Sequence, residues 1–480
     1  MKSKLIPLLY ITLHLCAQGA WAQVPDGSDM HLPRTPFRLQ SRAEVQLPPA
    51  VDNSTRKFFP PILDQMGGSC AQASGIGYMF TYEINRLLDR DAHASADHRF
   101  SYQFSWNLLN DGQDQGDFVD QGLYLSERYG IMTEQDYGIS GTYQFKWATG
   151  YDKYYKALQY RTQEVLTFAD SIPLMKRWLY DAGDGSAVGG VLTFSAMSRG
   201  WEIDDDYQGP SLTGYRSLLK GLATDGAHAL TIAGYDDTVV YTDAQGTPHT
   251  GAFIVVNSWG THSHDRGRFY LPYDFFRDTR VPEQQLGSTV EAIRVRIHRP
   301  LVVFRLALDF SSRNDLSFGL ATESDTCRAF YNQGGDYPMQ GQYMPGNIEI
   351  ALDLTEYMTE EGCGGETFYL NILRGFRGKV KGTGRVTALS IADSRGAQPL
   401  EYPYRGPLPV ELRDGSNPFS IRTAEDAPVS ASAFRYTDEA GNVTDRTFLL
   451  RTAEGRQAKI RFANPDTDGQ TITLRYRTTE

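Results

Sequence analysis

The hydrophobic period of this chain changes near Pro300, and that change limits what it can fold into. Beyond it, Val302, Phe304, Leu306, Leu308 and Phe310 alternate with Val303, Arg305, Ala307 and Asp309. A period of two places alternate side chains on opposite faces of a strand. The alternation recurs in 348–354, 368–372, 458–462 and 472–476, between turn-rich stretches, which predicts β-sandwiches. The run Pro403-Tyr404-Arg405-Gly406-Pro407-Leu408-Pro409 reads as a hinge that splits this half at 402/403. Before Pro300 the texture is mixed. Positions 70, 73, 77, 80, 84 and 87 follow the three-four spacing of a helix with one buried face, and a second helical stretch over 118–129 stops at Gly130. The runs 229–235 and 252–256 are short, apolar and bounded by Gly and Asp, hence buried strands. The fold class is therefore α+β over the first part, followed by two all-β, sandwich-like domains at 301–402 and 403–480.

At 480 residues, 40% hydrophobic and 22% charged, the chain is long enough for about three domains and too apolar for disorder. A net charge of −11 without a basic stripe argues against nucleic acid as a partner. Lys2 and Lys4, the mostly apolar stretch 5–16 and Ala20-Trp21-Ala22 read as a secretory signal peptide over 1–22. Export to a periplasm, a cell surface or the medium is expected. Leu15 stands where a lipidation signal at Cys16 needs a small residue. No later run is apolar enough to span a membrane. Residues 23–46 are polar and read as a poorly ordered leader. Three cysteines then remain, Cys70, Cys327 and Cys363. Cys327 and Cys363 lie in one β-rich region and are the expected disulfide pair, which leaves Cys70 alone.

Cys70 follows Gln65-Met66-Gly67-Gly68-Ser69 at the predicted start of a helix. The positive end of a helix dipole and unpaired amides stabilise a thiolate there. Gly68 lets a backbone approach closely, and Gln65 offers an amide donor to a developing oxyanion. An inert helix-cap cysteine fits this segment equally well. Among nine histidines, His228 opens an apolar strand, where a general base would be held rigidly. Asn257 and Trp259 end the next strand. The amide of Asn257 would orient the imidazole while the indole keeps water off that bond. Taken singly, these are a core histidine, a turn asparagine and a core aromatic.

Together the segments resemble the papain family of cysteine peptidases. Gln65 with Gly68-Ser69-Cys70 is similar to that family's glutamine and Gly-Ser-Cys. Gly130-Ile131-Met132-Thr133-Glu134-Gln135-Asp136-Tyr137 is similar to its mid-domain run. His228-Ala229 with Gly234-Tyr235, and Asn257-Ser258-Trp259-Gly260 with Gly267-Arg268-Phe269-Tyr270, are similar to its histidine and asparagine strands. The resemblance covers 47–300 and implies a two-lobed papain-like domain. It also implies peptide-bond hydrolysis by Cys70, His228 and Asn257, with Gln65 at the oxyanion and Gly68, Ser69 and Trp259 in support. The chain departs from the family in four ways, one being that the disulfide cysteines common in it are absent here. Gln65 precedes Cys70 by five positions rather than the usual six, Ala71 replaces an aromatic, and His228 and Asn257 stand later than is typical. With only residues 23–46 ahead of the domain, no helical inhibitory prosegment is expected.

A protein or peptide substrate is the expected partner, with no cofactor and no metal. Glu202-Ile203-Asp204-Asp205-Asp206 lacks the fixed spacing of a calcium loop and reads as solvated. The β domains leave surface or carbohydrate contact open. All six tryptophans lie at or before Trp259, although Tyr331, Tyr337, Tyr343 and Tyr357 are present. Two alternatives stay open: an inactive papain-fold adhesin or binding module, and a Cys-His acyltransferase of the transglutaminase kind.

Overall fold

The computed structural model describes residues 32–39, 45–110, 114, 116–139, 148–168, 171–221, 223–242, 246–277, 290–312, 315–323, 328–331, 347–358, 366–375, 381–396, 398–423, 429–430, 447–451, 457–463 and 473–478. The expected signal peptide, Cys327, Cys363, Tyr337 and Tyr343 lie outside the described residues.

The three-four spacing from Cys70 becomes α1, three contiguous helical pieces at Cys70–Gln72, Ala73–Phe80 and Thr81–Leu88. The middle piece is π-helical and wholly buried. Gly77 lets Leu63 pack close there: a Cβ would meet Leu63 Cδ1 at 2.5 Å, and the leucine would have to turn away. Helix α2 (Tyr102–Leu109) starts on Ser101, whose Oγ accepts the Phe104 N–H. Helix α3 (Val119–Arg128) fills the expected second helical stretch. These helices share one core around Ile76, Met79, Phe80, Phe104 and Leu123. Two more helices follow, α4 (Tyr151–Ala157) and α5 (Ile172–Asp181).

A second core belongs to a sheet. Its strands are β1 (Arg34–Pro36), β2 (Ala50–Asp52), β3 (Tyr160–Thr167), β4 (Leu192–Met197), β5 (Glu202–Asp204), β6 (Leu218–Gly221), β7 (Ala227–Thr242), β8 (Pro248–Val256), β9 (Arg268–Pro272) and β10 (Glu291–Ile297). They run in the order β1-β3-β10-β4-β7-β8-β9-β6-β5, with β2 paired to β7. The two apolar runs read as buried strands lie in β7 and β8, which form a long hairpin. The leader departs from expectation. Arg34, Thr35 and Pro36 pair in parallel with Val165, Leu166 and Thr167. Phe37 stacks on Phe168 at 4.8 Å and meets Trp178 edge-on at 5.6 Å. The open edge of β3 and an apolar hole for Phe37 supply the order that three residues without a period do not announce.

Beyond residue 300 the alternating runs become β11 (Val302–Phe310), β12 (Leu316–Thr322), β13 (Arg328–Tyr331), β14 (Asn347–Asp353), β15 (Thr367–Arg374), β16 (Gly384–Asp393), β17 (Leu400–Pro403), β18 (Val410–Glu411), β19 (Gly415–Arg422) and β20 (Val429–Ser430). One sheet runs β14-β11-β16-β17-β20 with β18 beside β16, and the other β13-β12-β15-β19. Phe304, Leu306 and Ile350 of the first share a core with Phe318, Leu370 and Phe419 of the second. The division expected at 402/403 falls inside this sandwich, since β19 pairs with β15 along its whole length. The Pro-rich run is thus a connection between strands of one body. Three later strands, β21 (Thr447–Arg451), β22 (Gln457–Ala463) and β23 (Thr473–Thr478), pair with one another.

The sandwich is fastened to the first half. Gly150 N–H donates to Glu349 O at 3.0 Å, Glu349 N–H to Thr149 Oγ1 at 2.9 Å, and the Arg305 guanidinium lies 5.1 Å over the Tyr151 ring. That cover explains why β11 buries Val303 and Ala307 on its second face, where simple alternation places them outward.

Candidate active site

Strand register brings the site together. Thr231 on β7 faces Val256 on β8. Continued three residues toward the strand ends, this antiparallel register sets position 228 opposite 259. The His228 and Trp259 rings stack there at 4.7 Å and 21°. Asn257 leaves β8 in the same place, and its Oδ1 lies 2.8 Å from His228 Nε2. The same Oδ1 accepts the Ser258 N–H at 2.8 Å. An oxygen already taking one donor calls for a second, so the His228 proton sits on Nε2 and the lone pair on Nδ1.

Helix α1 delivers Cys70 to this corner. Ser74, one turn along from Cys70, has its Oγ 2.7 Å from Thr193 Oγ1 on β4 and 2.9 Å from Thr231 Oγ1 on β7. The pinned helix start lies against the beginning of β7, where the Ala229 N–H stabilises the Cys70 sulfur. Tyr78, a turn further on, donates to Asn257 O at 2.9 Å and accepts the Leu63 N–H at 2.7 Å. One phenol thereby ties the chain before Cys70 to the asparagine segment, and burial keeps it protonated.

Gln65 is held from three sides despite its shortened loop. Its N–H donates to Ser258 O at 2.7 Å, its Oε1 accepts the Ser258 Oγ–H at 2.6 Å, and its Nε2 donates to Gly67 O at 2.9 Å. One Nε2 hydrogen remains for another acceptor. Gly67 adopts φ +53°, and the Gly68 N–H is bound by Asp114 Oδ1 at 2.8 Å. Ser69 is buried, donating to Met66 O at 2.6 Å. Gln65, Cys70, His228, Asn257 and Trp259 are thus brought to one corner. Gly68 and Ser69 shape the loop.

The electrostatics differ from expectation. Burial pushes the Cys70 thiol up; the Ala229 amide opposes this, and Asp117 adds to the rise. A lowered thiol was expected at a helix start, but desolvation outweighs the neighbouring amides. Burial likewise drives His228 down to about 4 against the Asn257 bond, and His264 lowers it further. Burial thus disfavours the charged form of each group taken singly. Asp117 is itself pushed up to about 8 by burial, with its Oδ1 bound by Gln72 Nε2 at 3.1 Å.

The sequence motifs missed several groups that frame the corner. Ser74 and Tyr78 carry only a helical offset from Cys70 as a signal. Trp201 lies 6.0 Å from the Trp259 ring and 6.1 Å from that of His228. His264 approaches Asn257 from the far side, with its Nε2 3.5 Å from Asn257 Nδ2. No metal-binding cluster occurs among the described residues, and no described helix is long and apolar enough to cross a membrane. The acidic run is more tied down than expected: Asp204 pairs with Lys220, Asp205 with His264 and Asp206 with Arg216.

No family model matches the chain, and no curated protein matches it. Among solved structures it is similar to xylellain, a cysteine protease from Xylella fastidiosa, at 18% identity over 58% of this chain and 99% of that one, with a TM-score of 0.38. Digestive procathepsin L 3 from Tenebrio molitor larval midgut is 13% identical over 57% of this chain and 77% of its own, at 0.37. The Carica candamarcensis cysteine protease CMS1MS2 is 17% identical over 53% and 100%, at 0.34. Overlap this partial carries no functional conclusion.

Proposed function

We propose that the chain is a papain-like cysteine peptidase, exported by residues 1–22, that hydrolyses peptide bonds in protein substrates. The observation that carries this reading is the Asn257 Oδ1 bond to His228 Nε2. It reserves Nδ1 as the base on an imidazole clamped by Trp259, beside a helix start that presents Cys70. His228 Nδ1 takes the thiol proton as Cys70 Sγ attacks the scissile carbonyl. The free Nε2 hydrogen of Gln65 and the Cys70 N–H receive the oxyanion. His228 then returns the proton to the leaving amine, and water releases the acyl group from the thioester.

Cys70→Ala is expected to abolish cleavage of an unfolded protein while the chain stays folded. Full activity in that variant overturns the assignment. Iodoacetamide labelling of Cys70 that is slowed by His228→Ala supports the pair independently of any substrate choice.

A further inference from the structure

Asn257 is fully buried, and its two ends are treated differently. Oδ1 has two donors at 2.8 Å, His228 Nε2 and the Ser258 N–H. Nδ2 faces one ring nitrogen, His264 Nε2, at 3.5 Å. The other nitrogen of that ring, Nδ1, lies 3.4 Å from Asp205 Oδ1, which also accepts the Ser217 Oγ–H at 2.7 Å. In the neutral ring the donors and acceptors match in one tautomer. Asp205 takes the Nδ1 proton, and the Nε2 lone pair receives an amide hydrogen of Asn257.

We propose that His264, its Nδ1 turned to Asp205 and its Nε2 to Asn257, is a positioning residue that fixes the Asn257 carboxamide and through it His228. The inference rests on the peptidase reading. The ring is placed with care: it packs edge-on to Phe269 at 5.2 Å and lies 6.3 Å from Trp259, and its backbone holds a left-handed φ of 50°.

Protonation reverses the arrangement. Two N–H groups on His264 set a donor against the Asn257 NH2, and the carboxamide loses its reason to keep Oδ1 toward His228. The titratable groups facing His264 are Asp205, from the turn after β5, and His228, from β7. Trp259 and Phe269 present apolar rings. On its own loop, Asp265 is occupied by the Arg216 N–H at 3.0 Å and by Arg266 at 3.1 Å; in the turn after β5, Asp206 is occupied by Arg216. Burial lowers His264, partly offset by Asp205, so its protonation falls below its ordinary 6.5.

The test is the pH profile of kcat/KM for three full-length proteins: wild type, His264→Gln and His264→Met. Glutamine keeps an acceptor for Asn257 and cannot titrate; methionine keeps the shape without the acceptor. His264→Gln is expected to hold near-wild-type activity at neutral pH and to move the acid limb downward. His264→Met is expected to lose about tenfold at every pH. Equal losses in both variants with an unmoved limb, or no change in either, overturn the proposal. Imidazole NMR of the same proteins separates this from failure of the peptidase reading. In wild type the His228 Nε2–H signal is expected to collapse on acidification in step with His264 titration, and to persist in His264→Gln, whatever the chain cleaves. A signal indifferent to residue 264 overturns the proposal even in an active enzyme.

Discussion

Two buried histidines in this molecule are bonded in opposite ways. His298 sits just after β10, at the seam with the sandwich, with its Nε2 2.6 Å from Asp353 Oδ2. That carboxylate also receives Arg161 Nη2 at 3.0 Å, and its Oδ1 takes the Thr355 N–H at 2.9 Å and the Thr355 Oγ–H at 2.5 Å. Burial acts to raise Asp353, yet the His298 bond and the Arg161 charge hold it below the ordinary carboxylate value. His228 has a neutral amide as its partner instead. A carboxylate answered by the Arg161 guanidinium fixes charge in place and joins two bodies. An amide fixes orientation and leaves charge free to change, as acid-base chemistry requires.

The sharpest way to break this comparison is to remove each group in turn. His228→Ala is expected to lower kcat/KM by about 10³-fold while the melting temperature moves little. Asp353→Ala is expected to do the reverse. It leaves the Arg161 guanidinium, whose side chain is 2% exposed, with only the Leu158 and Glu127 carbonyls as partners, and breaking such a buried pair costs about 3–5 kcal/mol. Denaturant unfolding reads that loss, and the protein that remains folded is expected to cleave normally. Activity lost in proportion to unfolding in both variants would erase the distinction.

Acid separates the two regions by window. His228 is depressed from 6.5 to about 4, so between those values the unfolded chain binds the extra proton. The His228 contribution to stability therefore rises with pH across that window and is lost as pH falls through it, by on the order of 3 kcal/mol, and Asp117, raised to about 8, acts in the opposite sense. Asp353 is a depressed carboxyl, and its contribution is complete above about pH 4 and lost only below. In unfolding measured against pH, His228→Ala is expected to flatten the upper slope and Asp353→Asn the lower one. Slopes left unchanged would place the pH dependence elsewhere.

What could be read in advance follows the same line. Cys70, His228, Asn257 and Gln65 stood out because each lies at the end of a periodic segment in a recognisable order, and strand register then carried 228 to 259. The seam and the outer ring of the site did not stand out. Arg161, His298 and Asp353 come from three separate strand ends, and no local pattern links them. β1 is three residues paired with a strand far along the chain. The run 403–409 looks like a linker because prolines also serve between strands of one sandwich, where only the pairing of β19 with β15 reveals the difference. His264 was one histidine among nine, and its bearing on Asn257 exists only once the 260–267 loop is folded. The lowered thiol was expected from helix position alone, and burial, which a sequence does not display, reversed it.

The smallest expected effect refines the comparison within the site itself. Ser258 Oγ donates to Gln65 Oε1 at 2.6 Å, while the Ser258 carbonyl separately receives the Gln65 N–H at 2.7 Å. Ser258→Ala removes the first bond and keeps the second, so the backbone at Gln65 stays in place while its carboxamide is free to turn. Gly67 O retains one Nε2 hydrogen, which limits that turn. A donor displaced from a developing oxyanion costs less than a donor deleted, so kcat is expected to fall about 3–10-fold, below the loss for removing an oxyanion donor outright. KM should hold, because the bond matters only as charge builds on oxygen. Steady-state kinetics on one peptide substrate decides it. A raised KM with unchanged kcat would mean that Gln65 holds ground-state substrate, and the five-residue spacing to Cys70 would then have re-aimed the amide away from the oxyanion.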